Sequence, residues 1–370
     1  MQTAFINGTI FTSKEKLTGK ALVIEDDFIK SIQGNEKIPE NIKLIDCKNL
    51  IISPGLIDVQ IYGAGGCLFS NAPSAEALHI VADAIVKSGT TGFYLTLATN
   101  SIEIFYQAIK VVKENPHPAV LGLHFEGPYL NPIKRGAHIK EYIKRAEKKE
   151  VEELLKEAEG VLKIMTIAPE LADPEIIKLL RDNGVVVSAG HSNATFEEAV
   201  KGYENGVTTT THLFNAMSPI HHRDTGLPGA VYLSKNAYAS IIADGIHVDF
   251  NTLKISKKMM GERLFLITDA VAPVANGQYV HVEKEDCFTL PDGTLSGSKL
   301  SLLKAVKNCV EKADIQLDEA LRMASTYPAK VMELAGRGKI ESGSKANLTV
   351  FSEDFKPVYS VLNGEISNDN

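Results

Sequence analysis

Eight short apolar runs, separated by stretches of helical period, constrain this 370-residue chain more than any other feature. They span residues 50–61, 91–97, 120–125, 162–168, 185–189, 207–211, 239–243 and 264–268. A strand with one solvated face alternates polar and apolar residues, whereas these runs are nearly continuous, as strands buried on both faces are. Strands that alternate with helices build a parallel sheet covered by those helices. Eight such units predict an α/β fold, a (β/α)8 TIM-like barrel. Helix signals stand between the runs: Asp173-Pro174 opens one helix that Gly184 closes, and Thr195 with Glu198 forms a capping box.

The two ends of the chain have a different grammar. The first fifty residues read as short strands with hairpin turns at Asn7-Gly8 and Asp26-Asp27, and the style returns after about residue 336 around Asn363-Gly364. Neither end holds enough apolar residues to fold alone, so 1–53 and 336–370 are expected to pair into one discontinuous β domain. The barrel then takes 54–335, roughly 280 residues, within the usual size of that fold. The formal charge of −7 and the absence of a long basic stripe argue against nucleic acid as a partner. No run approaches a membrane span and the N-terminus lacks a signal-peptide pattern, so the expected location is the cytoplasm. Cys47, Cys67, Cys287 and Cys309 lack metal or redox spacing and are expected as reduced thiols in or near the core.

In a barrel of this kind the chemistry sits at the C-terminal ends of the strands. Those ends carry Gln60, Thr99, Glu126, Glu170, His191, His212, Asp244 with His247, and Asp269. His191 and His212 close neighbouring strands, about 5 Å apart, so both imidazoles can reach one ion. Glu126 adds a carboxylate, making a His2Glu set with an open fourth position, the pattern of catalytic zinc. Asp269 faces that ion as general base and acid. Strand one ends in Gln60-x-Tyr62 instead of His-x-His, and strand four ends in Ala168-Pro169-Glu170 without a lysine. One metal, not two, is the consequence. Arg223, His138 and His247 lie on loops suited to gripping an anion, arginine through its planar fork. Gly65-Gly66 matches no phosphate-loop pattern.

Six ordered motifs carry a resemblance: His124-Phe125-Glu126-Gly127-Pro128, Ala189-Gly190-His191-Ser192, Thr211-His212-Leu213-Phe214-Asn215-Ala216-Met217, Ile242-Ala243-Asp244-Gly245-Ile246-His247, Thr268-Asp269-Ala270 and Thr294-Leu295-Ser296-Gly297-Ser298. With Ser53-Pro54-Gly55-Leu56-Ile57-Asp58 and Ala346-Asn347-Leu348-Thr349 they cover nearly the whole chain, which resembles the N-acetylglucosamine-6-phosphate deacetylase family of the amidohydrolase superfamily. The resemblance implies Glu126, His191 and His212 as metal ligands and Asp269 as the catalytic acid–base. It implies contacts to a sugar phosphate from Ala137, His138, Asn215, Ala216, Arg223, His247, Leu295, Ser296 and Gly297. His138 is expected to help polarise the carbonyl. The implied cofactor is one divalent ion, zinc, with iron(II) or another divalent ion as alternatives. The family also implies a β-sandwich beside the barrel, a homodimer or higher homo-oligomer, and a place in amino-sugar catabolism and cell-wall sugar recycling. The rival readings are a deacetylase for the galactosamine epimer, a cyclic amidase, which the missing His-x-His and lysine oppose, and a catalytically silent sugar-phosphate sensor.

Overall fold

A computed structural model describes residues 2–274 and 277–368. Met1 and residues 369–370, the outermost positions of the expected terminal domain, lie outside them. Eight strands form one parallel sheet in chain order: β1 (Leu56–Ile61), β2 (Thr90–Ala98), β3 (Val120–Glu126), β4 (Leu162–Ile167), β5 (Val186–Ala189), β6 (Thr209–Thr210), β7 (Tyr238–Ile242) and β8 (Leu264–Ile267). β8 returns to β1 through a parallel bridge between Ile61 and Ala270, and Tyr62 N–H donates to the Ala270 carbonyl at 2.9 Å. The buried Asp58 carboxylate holds the same seam, accepting from Thr268 N–H at 3.1 Å and Thr268 Oγ1 at 2.6 Å. The sheet is therefore a closed barrel.

Helices cover the barrel where the sequence places them. Asp173 caps Pro174–Asp182, and Thr195 and Glu198 form the reciprocal capping box of Phe196–Glu204. Six of the nine residues in β2 are apolar or glycine, and all nine are buried, as a strand packed on both faces requires. The barrel interior nonetheless holds a polar file. His124 Nδ1 lies 2.9 Å from the Val59 carbonyl and Nε2 2.8 Å from Thr166 Oγ1, which is 2.7 Å from Thr211 Oγ1. Burial pushes the His124 imidazole down to about 3, so the ring is neutral, with Nδ1–H donating and Nε2 accepting. Its folded value lies below its ordinary 6.5, so its share of stability is complete above that pH and fades as pH falls toward about 3. His124→Gln preserves both hydrogen-bonding roles without the titration. Urea unfolding between about pH 6 and 4 should show an acid-limb slope shallower by up to ~1.4 kcal/mol per pH unit; an unchanged slope would contradict the assignment.

The ends of the chain form two further sheets. Phe28–Gly34, Lys20–Glu25, Gln2–Ile6 and Lys43–Asp46 make one, and Glu365–Asn368, Pro357–Leu362, Leu348–Ser352, Leu50–Pro54, Thr9–Phe11 and Lys16–Leu17 make the other. Phe5, Leu22 and Ile24 from the first meet Ile10, Ile52, Leu348 and Val350 from the second in a core of their own. Two expectations are corrected here. Asn7-Gly8 is not a hairpin turn: Asn7 takes a φ of 62° and passes the chain from one sheet to the other. Gly8 is buried at that corner, where an added Cβ would lie 2.9 Å from Cys47 Cβ and Ile52 Cδ1. The run 50–61 is two strands, broken at Gly55, whose N–H donates to the Asn347 carbonyl and whose added Cβ would meet Thr91 Oγ1 at 2.0 Å. Leu50–Pro54 joins the terminal sheet and only β1 enters the barrel. Cys47 and Cys309 are buried, Cys67 and Cys287 partly so, and all four are free thiols. No described helix is long and apolar enough to cross a membrane.

Candidate active site

Strand ends bring Glu126, His191 and His212 together at the mouth of the barrel, one ligand atom from each within 4.8 Å of the others and all three residues buried. Glu126 Oε1 lies 2.9 Å from His212 Nε2 and 3.3 Å from His191 Nε2, and the two ring nitrogens are 3.1 Å apart. His191 Nδ1 is 2.8 Å from the Lys134 carbonyl and can only donate to it. That bond fixes the tautomer and turns the His191 Nε2 lone pair toward Glu126 and His212. Metal-binding histidines are oriented in this way, so the donor set fits a divalent ion. Burial opposes charge on Glu126, but His191, His138 and His212 outweigh it and hold the carboxyl well below the usual range.

The backbone is strained where these side chains are presented. His191, His212 and Asp269 have φ of 47°, 34° and 55°, and Phe214 and Ala216 have 77° and 47°. Left-handed conformations cost non-glycine residues roughly 1–3 kcal/mol and collect at functional sites. Here they turn the chain sharply as β5, β6 and β8 end, aiming the next side chain across the mouth instead of along the strand.

Asp269 is tied to the neighbouring end of β1 by Gln60, whose Nε2 donates to Oδ1 at 2.7 Å. Burial, and after it the nearby Glu126 carboxylate, raise the Asp269 carboxyl well above its ordinary value. The two carboxyls are thus driven apart, Glu126 toward its charged form and Asp269 toward its protonated form. Gln60 Nε2 also lies 3.2 Å from Glu126 Oε1, and the Tyr62 hydroxyl donates to Glu126 Oε2. The two residues that stand in place of His-x-His thus hold the carboxyls of Asp269 and Glu126.

A cavity of about 340 Å³ opens over these groups, in the range of small-molecule sites. Ala137 and His138 line it from the segment after β3, Asn215 and Ala216 after β6, His247 after β7, and Leu295, Ser296 and Gly297 from a strand after β8. His138 Nδ1 accepts from Thr99 N–H at 3.2 Å, and Nε2 donates to Glu126 Oε2 at 3.1 Å. Burial, with the neighbouring His191 ring opposing a second positive charge, lowers the His138 imidazole to about 4, so this donor is neutral. His247 Nδ1 donates to Asp244 Oδ2 at 2.6 Å, while Asp244 Oδ1 accepts from the N–H of Ile246 and of His247.

Arg223 departs from its expected place. It is exposed, its Nε donates to His222 Nε2 at 3.0 Å, and it does not line the cavity. The segment after β6 first turns at Asn215 and Ala216, which do line it, and then runs out to solvent. Sequence reasoning passed over Lys134, Tyr279 and His281, which also line the cavity. Lys134 is the one lysine or arginine among the described residues of that wall. None of the three ends a strand, so the rule that found the ligands had no hold on them.

Clustered imidazole and carboxyl side chains fit to hold a divalent ion at the strand ends of a closed barrel point to a class of hydrolase, and the chain belongs to the Amidohydrolase family, whose sequence profile matches residues 51–367. The profile of the NagA composite domain matches residues 3–52. Within that family the chain is 36% identical to N-acetylglucosamine-6-phosphate deacetylase of Haemophilus influenzae, over 99% of each chain. It is 34% identical to N-acetylgalactosamine-6-phosphate deacetylase of a Shewanella species, over 84% of this chain and 82% of that one. The crystal structure of N-acetylglucosamine-6-phosphate deacetylase from Pasteurella multocida superposes with a TM-score of 0.95 at 37% identity, covering 100% of both chains.

Proposed function

We propose that this protein hydrolyses the acetamide of N-acetylglucosamine 6-phosphate to glucosamine 6-phosphate and acetate, in amino-sugar catabolism and cell-wall sugar recycling. The observation that carries the proposal is the pairing of a buried His2Glu set with Asp269 beneath a sugar-sized cavity. A divalent ion held by Glu126, His191 and His212, zinc or else iron(II), would supply Lewis-acid polarisation and lower the pKa of a water toward ~7. Asp269 takes the proton of the attacking water and returns it to the departing amine, so that the leaving group is neutral. Its raised affinity for a proton suits the second half of that task. The neutral Nε2–H of His138, which donates to Glu126 Oε2 in this structure, would turn to the oxygen that becomes an oxyanion. Asn215, Ala216, His247 and the Leu295–Gly297 segment hold the sugar phosphate, and Asp244 keeps the His247 ring in one orientation.

The bounds proposed for the two units are 1–53 with 336–370 for the β-sandwich and 54–335 for the barrel. The protein is proposed to act as a cytoplasmic homodimer or higher homo-oligomer. Arg223 remains proposed as a grip on phosphate although it stands in solvent within one chain. Arg223→Ala should lower kcat/KM on the phosphorylated sugar at least tenfold while changing that on N-acetylglucosamine less than twofold, the cost of a lost charge-assisted hydrogen bond being roughly 1.5–3 kcal/mol. Equal losses on both sugars would remove the assignment.

The galactosamine epimer is a second reading, favoured by the 34% identity to a deacetylase of that name. Acetate release measured side by side on the two 6-phosphates tests both. A site built to hydrogen-bond one hydroxyl orientation leaves its polar groups unpaired with the other, so the gluco epimer should have the higher kcat/KM by tenfold or more. The reverse order would transfer the function to the second sugar, and no acetate from either would leave a binding protein.

A further inference from the structure

One small hydrophobic cluster stands apart from the barrel core: Tyr62, Leu68, Ala98, Val271, Tyr279 and Phe288. All but Phe288 line the active-site cavity. They end β2 or follow β1 and β8, the last of which also brings His281 and Ser296 to the cavity, whereas Lys134, Asn215 and His247 follow β3, β6 and β7. The cavity therefore has a carbon-lined end and a polar end, and Tyr62 joins the first of these to Glu126 through its hydroxyl. The two tyrosine hydroxyls and the Ala98 N–H of the carbon-lined end are already used. Tyr279 Oη donates to the Thr99 carbonyl, and Ala98 N–H donates to Ser70 Oγ at 3.2 Å. A sugar hydroxyl or a phosphate placed there would lose its hydrogen bonds to water without replacement, at a cost of about 1–3 kcal/mol per group.

We propose that this end is the acyl pocket, that it takes the methyl of the acetyl group, and that Leu68 and Ala98 set the longest acyl chain the enzyme removes. The proposal rests on the deacetylase reading above. In N-acetylglucosamine 6-phosphate the acetyl methyl is the one group with no polar atom to satisfy, and the amide that bears it must lie at Glu126 and Asp269, beside Tyr62. Tyr62 and Tyr279 are anchored by their hydroxyls, and Val271 packs against Gly297, where an added Cβ would lie 2.5 Å from Val271 Cγ1. Leu68 and Ala98 have no polar anchor on their side chains. Leu68 is set by the pairing of Cys67–Leu68 with Gly63–Ala64, and Phe69 N–H donates to the Tyr62 carbonyl at 3.1 Å. Their size alone determines the depth of the pocket.

The experiment is a series of N-formyl, N-acetyl, N-propionyl and N-butyryl glucosamine 6-phosphates, with the released amine measured for the wild type, Leu68→Ala and Ala98→Val. One methylene in a fitted apolar pocket discriminates by roughly 10–200-fold. The wild type should favour acetyl over butyryl by at least tenfold. Leu68→Ala should raise the butyryl-to-acetyl ratio of kcat/KM by tenfold or more, and Ala98→Val should lower the acetyl-to-formyl ratio by tenfold or more. Each ratio is internal to one preparation, so the folded fraction cancels, and the two variants move the limit in opposite directions. If the wild type cleaves the acetyl compound but both ratios stay within threefold of it, the acyl pocket is elsewhere. Release of amine from none of the compounds by the wild type overturns the deacetylase reading, and the pocket assignment with it.

Discussion

Asp269→Asn lowers kcat on N-acetylglucosamine 6-phosphate by about 10³-fold or more, toward the upper end of what general acid–base catalysis supplies, while the metal content stays at the wild-type value. Asparagine has the shape of the carboxyl it replaces, and its side-chain oxygen can still accept from Gln60 Nε2, so the wall stays in place. What is lost is a site that takes a proton from water and gives it to the amine. Burial and the adjacent Glu126 carboxylate, which raise Asp269, have no counterpart in an amide. Acid-quenched assays of acetate, paired with elemental analysis of the same sample, measure both halves. Turnover within tenfold of the wild type would remove Asp269 from the reaction, and loss of metal would make it a ligand instead.

His191→Ala is expected to empty the site. His191 contributes Nε2 to the three-atom set, and its Nδ1–H bond to the Lys134 carbonyl ties that set to the segment after β3. Loss of an outer partner of a metal ligand costs roughly 10–100-fold in metal affinity, so loss of the ligand itself should cost more. Purified without added metal, the variant should hold less than about a tenth of an ion per chain. The wild type should also melt higher with metal than with chelator, since an ion at 100 times its Kd adds about 2.7 kcal/mol. His191→Ala should lose that difference. A variant with undiminished metal content would place the ion elsewhere.

The cluster of Glu126, His191 and His212 was legible because barrel topology converts position along the chain into position on a rim. His191 and Asp269 follow apolar runs and His212 a β-branched one, and parallel order puts those ends on one face. Their backbone conformations were not legible, because nothing in the residue type of His or Asp announces a positive φ. The bond from Tyr62 to Glu126 and that from His191 to the Lys134 carbonyl join residues 64 and 57 positions apart, so local pattern holds no trace of them. Asn7-Gly8 misled for a related reason. The dipeptide does place Asn7 at a positive φ, but whether the chain then folds back or crosses to a second sheet is decided by Cys47 and Ile52 packed against Gly8. Arg223 was chosen for its chemistry alone, and the segment that carries it has no period from which a direction could be read.

The central claim, a mononuclear amide hydrolase acting on an amino-sugar phosphate, is tested most directly by titrating the metal-depleted protein with zinc while following acetate release from N-acetylglucosamine 6-phosphate. Acetate release should rise linearly and level off at one ion per chain, because Gln60 and Tyr62 occupy the positions a second ion would need and are committed to Asp269 and Glu126. A plateau at two ions per chain, or no acetate at any metal content, would contradict it.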